Sequence, residues 1–75
     1  MMRKWLIEER KKRLLKQSDV AKLIGISRSY YSEIELETKT PSGKVAKKIA
    51  DFFKVDMTVF FEVKRAQYES KKPNE

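Results

Sequence analysis

Arg28, Ser29, Ser32 and Glu33 carry hydrogen-bonding tips within about one helical turn of one another, and Tyr30 flanks them. Set on one helix, such residues can read the edges of nucleic-acid bases. An arginine fork takes guanine O6 and N7 together, a contact worth about 1–3 kcal/mol of discrimination. Ser29 and Ser32 are short; they reach base edges or phosphates and select weakly. Glu33 fits less simply. A carboxylate near phosphates is repelled unless it accepts from a cytosine amino group or braces Arg28 from one turn away, and a bystander role stays open. Tyr30 can stack on sugar, donate to phosphate, or stand as a solvent-exposed ring.

Such a set needs a helix pinned from behind, and the run Gln17–Leu36 supplies one. Gln17 to Ile24 reads as a short helix whose Val20, Ala21 and Ile24 share a buried stripe. Gly25 stands where that helix ends and a turn favours positive φ. Ile26 then packs inward. Ser27 is suited to cap the next helix, because its hydroxyl can accept from a free backbone N–H two or three residues on. In that helix Tyr31 and Ile34 lie on one face and point at Val20, Ala21 and Ile24. The small Ala21 permits close crossing. Removing the inner residues leaves Arg28, Ser29, Ser32 and Glu33 facing out. This layout is that of a helix-turn-helix, with residues 27–36 offered to the DNA major groove. A plain three-helix domain with another role is the rival reading.

The remaining chain builds the frame. Met2 to Arg13 reads as a first helix, with Leu6 and Ile7 inside and Lys11, Lys12 and Arg13 at a C-terminus that favours cations. Leu14-Leu15 is an apolar link expected to tuck under the second helix. Leu36 to Thr40 is a loop. Pro41 stops any helix before it, and Ser42 can cap a fourth helix from Gly43 to about Phe53, with Val45, Ala46, Ile49, Phe52 and Phe53 as its stripe. Asp56 or Thr58 starts a short fifth helix or turn through Phe60-Phe61, and Glu62 to Lys64 can continue as a strand. The expected fold is all-α: a compact bundle of four or five helices in one domain, 1–64, with room for a short C-terminal β-strand at a dimer interface. Residues 65–75 are expected to form a polar, flexible tail.

Composition narrows the function. The chain has 75 residues, no cysteine and no histidine. That leaves no disulfide, no thiolate metal site, no imidazole base and no histidine zinc ligand. With no glycine-rich phosphate loop and no paired-carboxylate site either, an enzyme is not expected, nor a metal or cofactor. The formal charge of +7 favours a polyanion partner, against the simpler reading of a well-solvated surface. No apolar stretch is long enough to span a bilayer and no signal-peptide core is present, so a cytoplasmic protein is expected.

The series Leu15-Lys16-Gln17, Val20-Ala21, Ile24-Gly25-Ile26-Ser27-Arg28-Ser29, Ile34-Glu35, Pro41-Ser42, Ile49-Ala50 and Phe53-Lys54-Val55 resembles the phage repressor and Cro family, the XRE-type helix-turn-helix, over about Leu6 to Phe61. The resemblance implies a small helical bundle and a dimeric transcriptional regulator. It implies that Gln17 opens the second helix and meets a DNA phosphate, and that Arg10 and Glu35 form a salt bridge behind the recognition helix, with Arg10 also near phosphate. By their types alone those two are ordinary surface charges, and an exposed pair is worth only about 0–1 kcal/mol. The resemblance also implies that Lys39, Thr40 and Lys44 grip the phosphate backbone, with Lys16 and Ser27 beside its path. Lys47 and Lys48 are solvated charges on the outer face of the fourth helix. Three positions depart from the family pattern. Glu37 replaces a common glycine and weakens that C-cap, Gly43 loosens the start of the fourth helix, and Tyr31 is a large plug that opens the angle between the motif's helices.

Spare apolar residues (Trp5, Met57, Val59, Phe60, Phe61 and Val63) suit a twofold interface, unless they complete the monomer core. The expected function is a sequence-specific double-stranded DNA-binding regulator. More narrowly it is a repressor binding a palindromic operator as a homodimer, with no small-molecule effector evident. The alternative is an antitoxin-type DNA-binding protein whose tail from Arg65 engages a toxin.

Overall fold

The computed structural model describes residues 2–60. Phe61 and Val63 of the expected interface, the Glu62–Lys64 strand and the tail 65–75 lie outside the described residues. Four α-helices follow one another, α1 Lys4–Lys12, α2 Gln17–Ile24, α3 Arg28–Leu36 and α4 Gly43–Phe53, and a 3₁₀ turn spans Met57–Phe60. Among the described residues there is no strand.

One core joins all five elements. Leu6 of α1, Val20, Ala21 and Ile24 of α2, Tyr31 and Ile34 of α3, Ala46, Ile49 and Phe53 of α4, and Phe60 of the turn are buried together. Each helix contributes the side of itself that its apolar spacing selects. Ala21 is buried where α2 meets α3, so the missing side-chain bulk is what lets the helices of the motif approach. Asp56 starts the 3₁₀ turn: its Oδ1 accepts from the Thr58 N–H at 3.0 Å and the Thr58 hydroxyl at 2.9 Å. Those donors hold its carboxyl below the ordinary range.

Helix starts follow the local chemistry. Ser27 Oγ accepts from the Tyr30 N–H at 3.0 Å, and Ser42 Oγ accepts from the Val45 N–H at 3.3 Å. A good N-cap is worth about 1 kcal/mol, and α4 begins at Gly43 despite that residue's low helix propensity. The Lys16 side chain has no acceptor to offer α2. Asp19 supplies the return half of a capping box instead, its Oδ2 accepting from the Lys16 N–H at 2.8 Å.

Helix ends share one device. The residue after each last turn is left-handed: Leu14 (φ 57°), Gly25 (φ 90°), Glu37 (φ 64°) and Lys54 (φ 60°). The next N–H in each case bonds back to a carbonyl five residues earlier: Leu15 to Arg10, Ile26 to Ala21, Thr38 to Glu33 and Val55 to Ala50. This is the Schellman arrangement. Glu37 closes α3 in this left-handed cap although it is not a glycine. Leu14 does not tuck under α2. The left-handed turn directs its side chain outward, 91% exposed, and Leu15 packs on the core in its place. A Cβ built on Gly25 would meet no atom within 4 Å, so its backbone angle, not lack of space, is what calls for glycine there.

Candidate nucleic-acid interface

α3 divides into a locked face and a free one. Tyr31 and Ile34 are fully buried against the core. Arg28 and Ser29 are exposed, and Ser32 and Glu33 are half-buried. Arg28 has no hydrogen bond or ion pair among the described residues, so its guanidinium stands ready at the first turn of α3.

A buried polar bracket fixes where that face points. Glu35, 2% exposed, receives Arg10 Nε on Oε2 at 2.7 Å and Arg10 Nη2 on Oε1 at 3.2 Å. Gln17 Nε2 donates to the same Oε1 at 2.9 Å. Arg10 Nη1 donates to the Leu15 carbonyl at 3.0 Å. One carboxylate thus ties α3 to α1 and to the first residue of α2. Burial pushes the Glu35 carboxyl up, but the hydrogen bonds from Arg10 and Gln17 outweigh it and hold it below the ordinary carboxylate range. The Tyr31 hydroxyl is buried beside the pair without a well-formed hydrogen bond, and burial pushes its phenol far above the usual value. Arg10 gives Nε, Nη1 and Nη2 one bond each in this bracket, which makes it first a structural residue.

Arg3 completes the bracket and was not legible from sequence. Its backbone N–H donates to the Glu35 carbonyl at 2.7 Å, its guanidinium donates to the Ile34 carbonyl, and it lies 5.2 Å over the Phe60 ring. α3 has no basic residue in its own last turn, so Arg3 brings a cation to the negative end of that helix. Nothing in its spacing marks it, because it precedes the first helix and its partners are distant in sequence.

The loop after α3 is wound onto that helix. Thr38 N–H at 3.1 Å, Lys39 N–H at 3.3 Å and the Thr38 hydroxyl at 3.3 Å all donate to the Glu33 carbonyl. The Glu33 side chain pairs with Lys39, Oε1 to Nζ 3.5 Å, rather than bracing Arg28. Tyr30 is not a solvent-exposed ring. It is half-buried on the core, and its hydroxyl accepts from the Ser42 N–H at 3.2 Å. That bond ties the ring to the start of α4. Thr40, Lys44, Lys16 and Ser27 are exposed. Gln17 directs its side chain inward to Glu35, while its backbone N–H and that of Ser18 have no partner among the described residues. Free N–H groups at a helix start suit an anion.

The face expected to dimerise is partly used by the monomer. Phe60 is buried, with Trp5 packed edge-on against it at 5.2 Å. Trp5, Met57 and Val59 are each half-buried. Among the described residues no group of three potential metal-binding side chains comes together, and no helix is long and apolar enough to cross a membrane.

Residues 6–60 match the helix-turn-helix family. The chain belongs to the helix-turn-helix family. It is similar to the HTH-type transcriptional regulator YqaF of Bacillus subtilis (strain 168), 47% identical over 62 residues that cover 83% of this chain and 82% of that protein. It is also similar to the ImmF control region 10 kDa protein of Bacillus phage phi105, 40% identical over 52 residues, 69% of this chain and 58% of the phage protein. No solved structure matches the chain significantly. This helix-turn-helix protein is a DNA-binding transcriptional regulator of the XRE type and not an enzyme.

Proposed function

We propose that this helix-turn-helix protein is a sequence-specific repressor that binds a palindromic operator as a homodimer, with α3 in the major groove. The observation that carries the reading is the contrast across α3. Its inner face is held by core packing and the Glu35 bracket, and its outer face presents Arg28, unpaired among the described residues, at the N-terminal end, where such helices meet base edges. Arg28 reads guanine; Ser29 and Ser32 add contacts of low selectivity. Lys16, Lys44, Thr40, Ser27 and the free N–H groups of Gln17 and Ser18 bind phosphate. Tyr30 acts there as well, through the hydrogen of a hydroxyl whose oxygen is engaged by Ser42.

One domain of this size covers a half-site, and two half-sites one helical turn apart require a dimer. Trp5 and Met57, half-buried in the monomer, continue the Phe60 face and supply apolar area for it. A repressor role is supported by the phage relative, described as a control region protein. The protein acts in the cytoplasm, where its DNA is.

Sedimentation equilibrium tests the dimer. A twofold species should form at high micromolar concentration, and a persistent 8.9 kDa species would rule it out. Binding of duplex DNA should fall steeply with salt, with a log–log slope of about −0.9 per phosphate contact. A flat response would argue against the interface.

A further inference from the structure

Glu33 is the odd member of the reading face, a carboxylate where the partner is a polyanion. Its surroundings give it a task. The left-handed cap at Glu37 folds the chain back so that the N–H groups of Thr38 and Lys39 both reach the Glu33 carbonyl, at 3.1 and 3.3 Å. That backbone geometry sets Lys39 beside Glu33, and the side chains meet, Nζ to Oε1 3.5 Å. Both remain accessible, 58% and 42% exposed at the side chain. Neither is needed by the core. A lysine that the phosphate backbone would attract is thus held by a carboxylate on the reading helix.

We infer that the Glu33–Lys39 pair is a specificity device that withholds Lys39 from phosphate and so suppresses binding to arbitrary sequence. The inference rests on the DNA-binding reading above. On unmatched DNA, Glu33 repels the backbone and Lys39 is neutralised. The loss is recovered on a duplex that offers a cytosine amino group to the spare lone pairs of Glu33, a contact open to a carboxylate in the major groove. The pair raises the ratio of specific to non-specific binding by weakening the second term, the term that phosphate contacts dominate.

The test is a double-mutant cycle of Glu33→Gln and Lys39→Gln. Each variant is titrated with a duplex of arbitrary sequence from about 50 to about 200 mM salt, the range where phosphate contacts are resolved. Circular dichroism confirms that these surface changes leave the helices intact. Glu33→Gln should steepen the salt slope by about 0.9, which is one phosphate contact and about a 3.5-fold gain in affinity at the lower salt relative to the higher. Lys39→Gln alone should leave the wild-type slope unchanged. Adding Lys39→Gln to Glu33→Gln should cancel the gain. A drop of about 0.9 in slope from Lys39→Gln with Glu33 present would overturn the proposal, because Lys39 would already be on phosphate. An equal gain from Glu33→Gln with and without Lys39 would also overturn it, leaving simple repulsion. If the wild-type chain shows no salt-dependent binding, the DNA reading fails and the proposal with it. Normal wild-type binding without coupling removes the proposal alone.

Discussion

Glu35→Gln should cost far more than its sequence position suggests. Glu35 is 2% exposed and Arg10 12% exposed at the side chain, so removing the negative charge strands a nearly buried guanidinium. Breaking a buried pair in this way costs about 3–5 kcal/mol. A chain of 75 residues has about 4–11 kcal/mol of stability in total at the usual 0.05–0.15 kcal/mol per residue. The variant should therefore melt at least about 12 °C lower, at about 4 °C or more per kcal/mol for a domain this small. The Lys47–Asp51 pair, 67% and 68% exposed at the side chain, is the internal control: Lys47→Ala should cost less than about 1 kcal/mol. A second control is Arg10→Met combined with Glu35→Leu, which removes both charges together. It should recover most of the loss, since apolar replacements of buried pairs are often neutral. Thermal and urea unfolding followed by circular dichroism report all four proteins. A Glu35→Gln loss below about 1 kcal/mol would refute the reasoning, because the pair would then behave like any exposed ion pair.

The same carboxylate makes stability depend on pH. Its folded pKa lies below the ordinary value, so its contribution is complete above about pH 5 and is lost as pH falls through the folded pKa; Tm measured downward from pH 7 should drop more steeply for the wild type than for Glu35→Gln. Leu14→Gly, Glu37→Gly and Lys54→Gly should each stabilise by up to about 1 kcal/mol, because relief of left-handed strain exceeds the added chain entropy; Gly25→Ala should do the reverse, although its Cβ has room. Arg28→Ala should weaken operator binding by about 1–3 kcal/mol and relax one base position, while Lys44→Ala should weaken all duplexes alike and reduce the salt slope by about 0.9; fluorescence anisotropy on matched and mismatched duplexes separates the two.

The motif was legible because periodicity and chain-stopping chemistry agreed on it. Val20, Ala21 and Ile24 repeat at helical spacing, Gly25 supplies the left-handed turn, and Ser27 and Ser42 cap α3 and α4. The bracket behind α3 was less legible. Glu35 and Arg10 look like surface charges by type, and only family resemblance paired them, because no local pattern encodes a contact between residues 25 apart. Arg3 left no trace at all, since its value comes from carbonyls at the far end of another helix. Leu14 misled for a related reason. Its type suggests burial, but the reversal of chain direction after α1 needs a left-handed residue there, and the backbone requirement overrode hydrophobicity. Tyr30 likewise gained its role from Ser42, which tertiary folding brings to it.

The central claim is that the free face of α3 reads DNA sequence. Selecting bound molecules from random duplex DNA tests it most directly, with the wild-type chain and Arg28→Ala run side by side. The expected result is an inverted repeat with half-site centres about 10–10.5 base pairs apart, and loss of preference at one guanine in each half-site in the variant. No enriched sequence, or the same enriched sequence from both proteins, would contradict it.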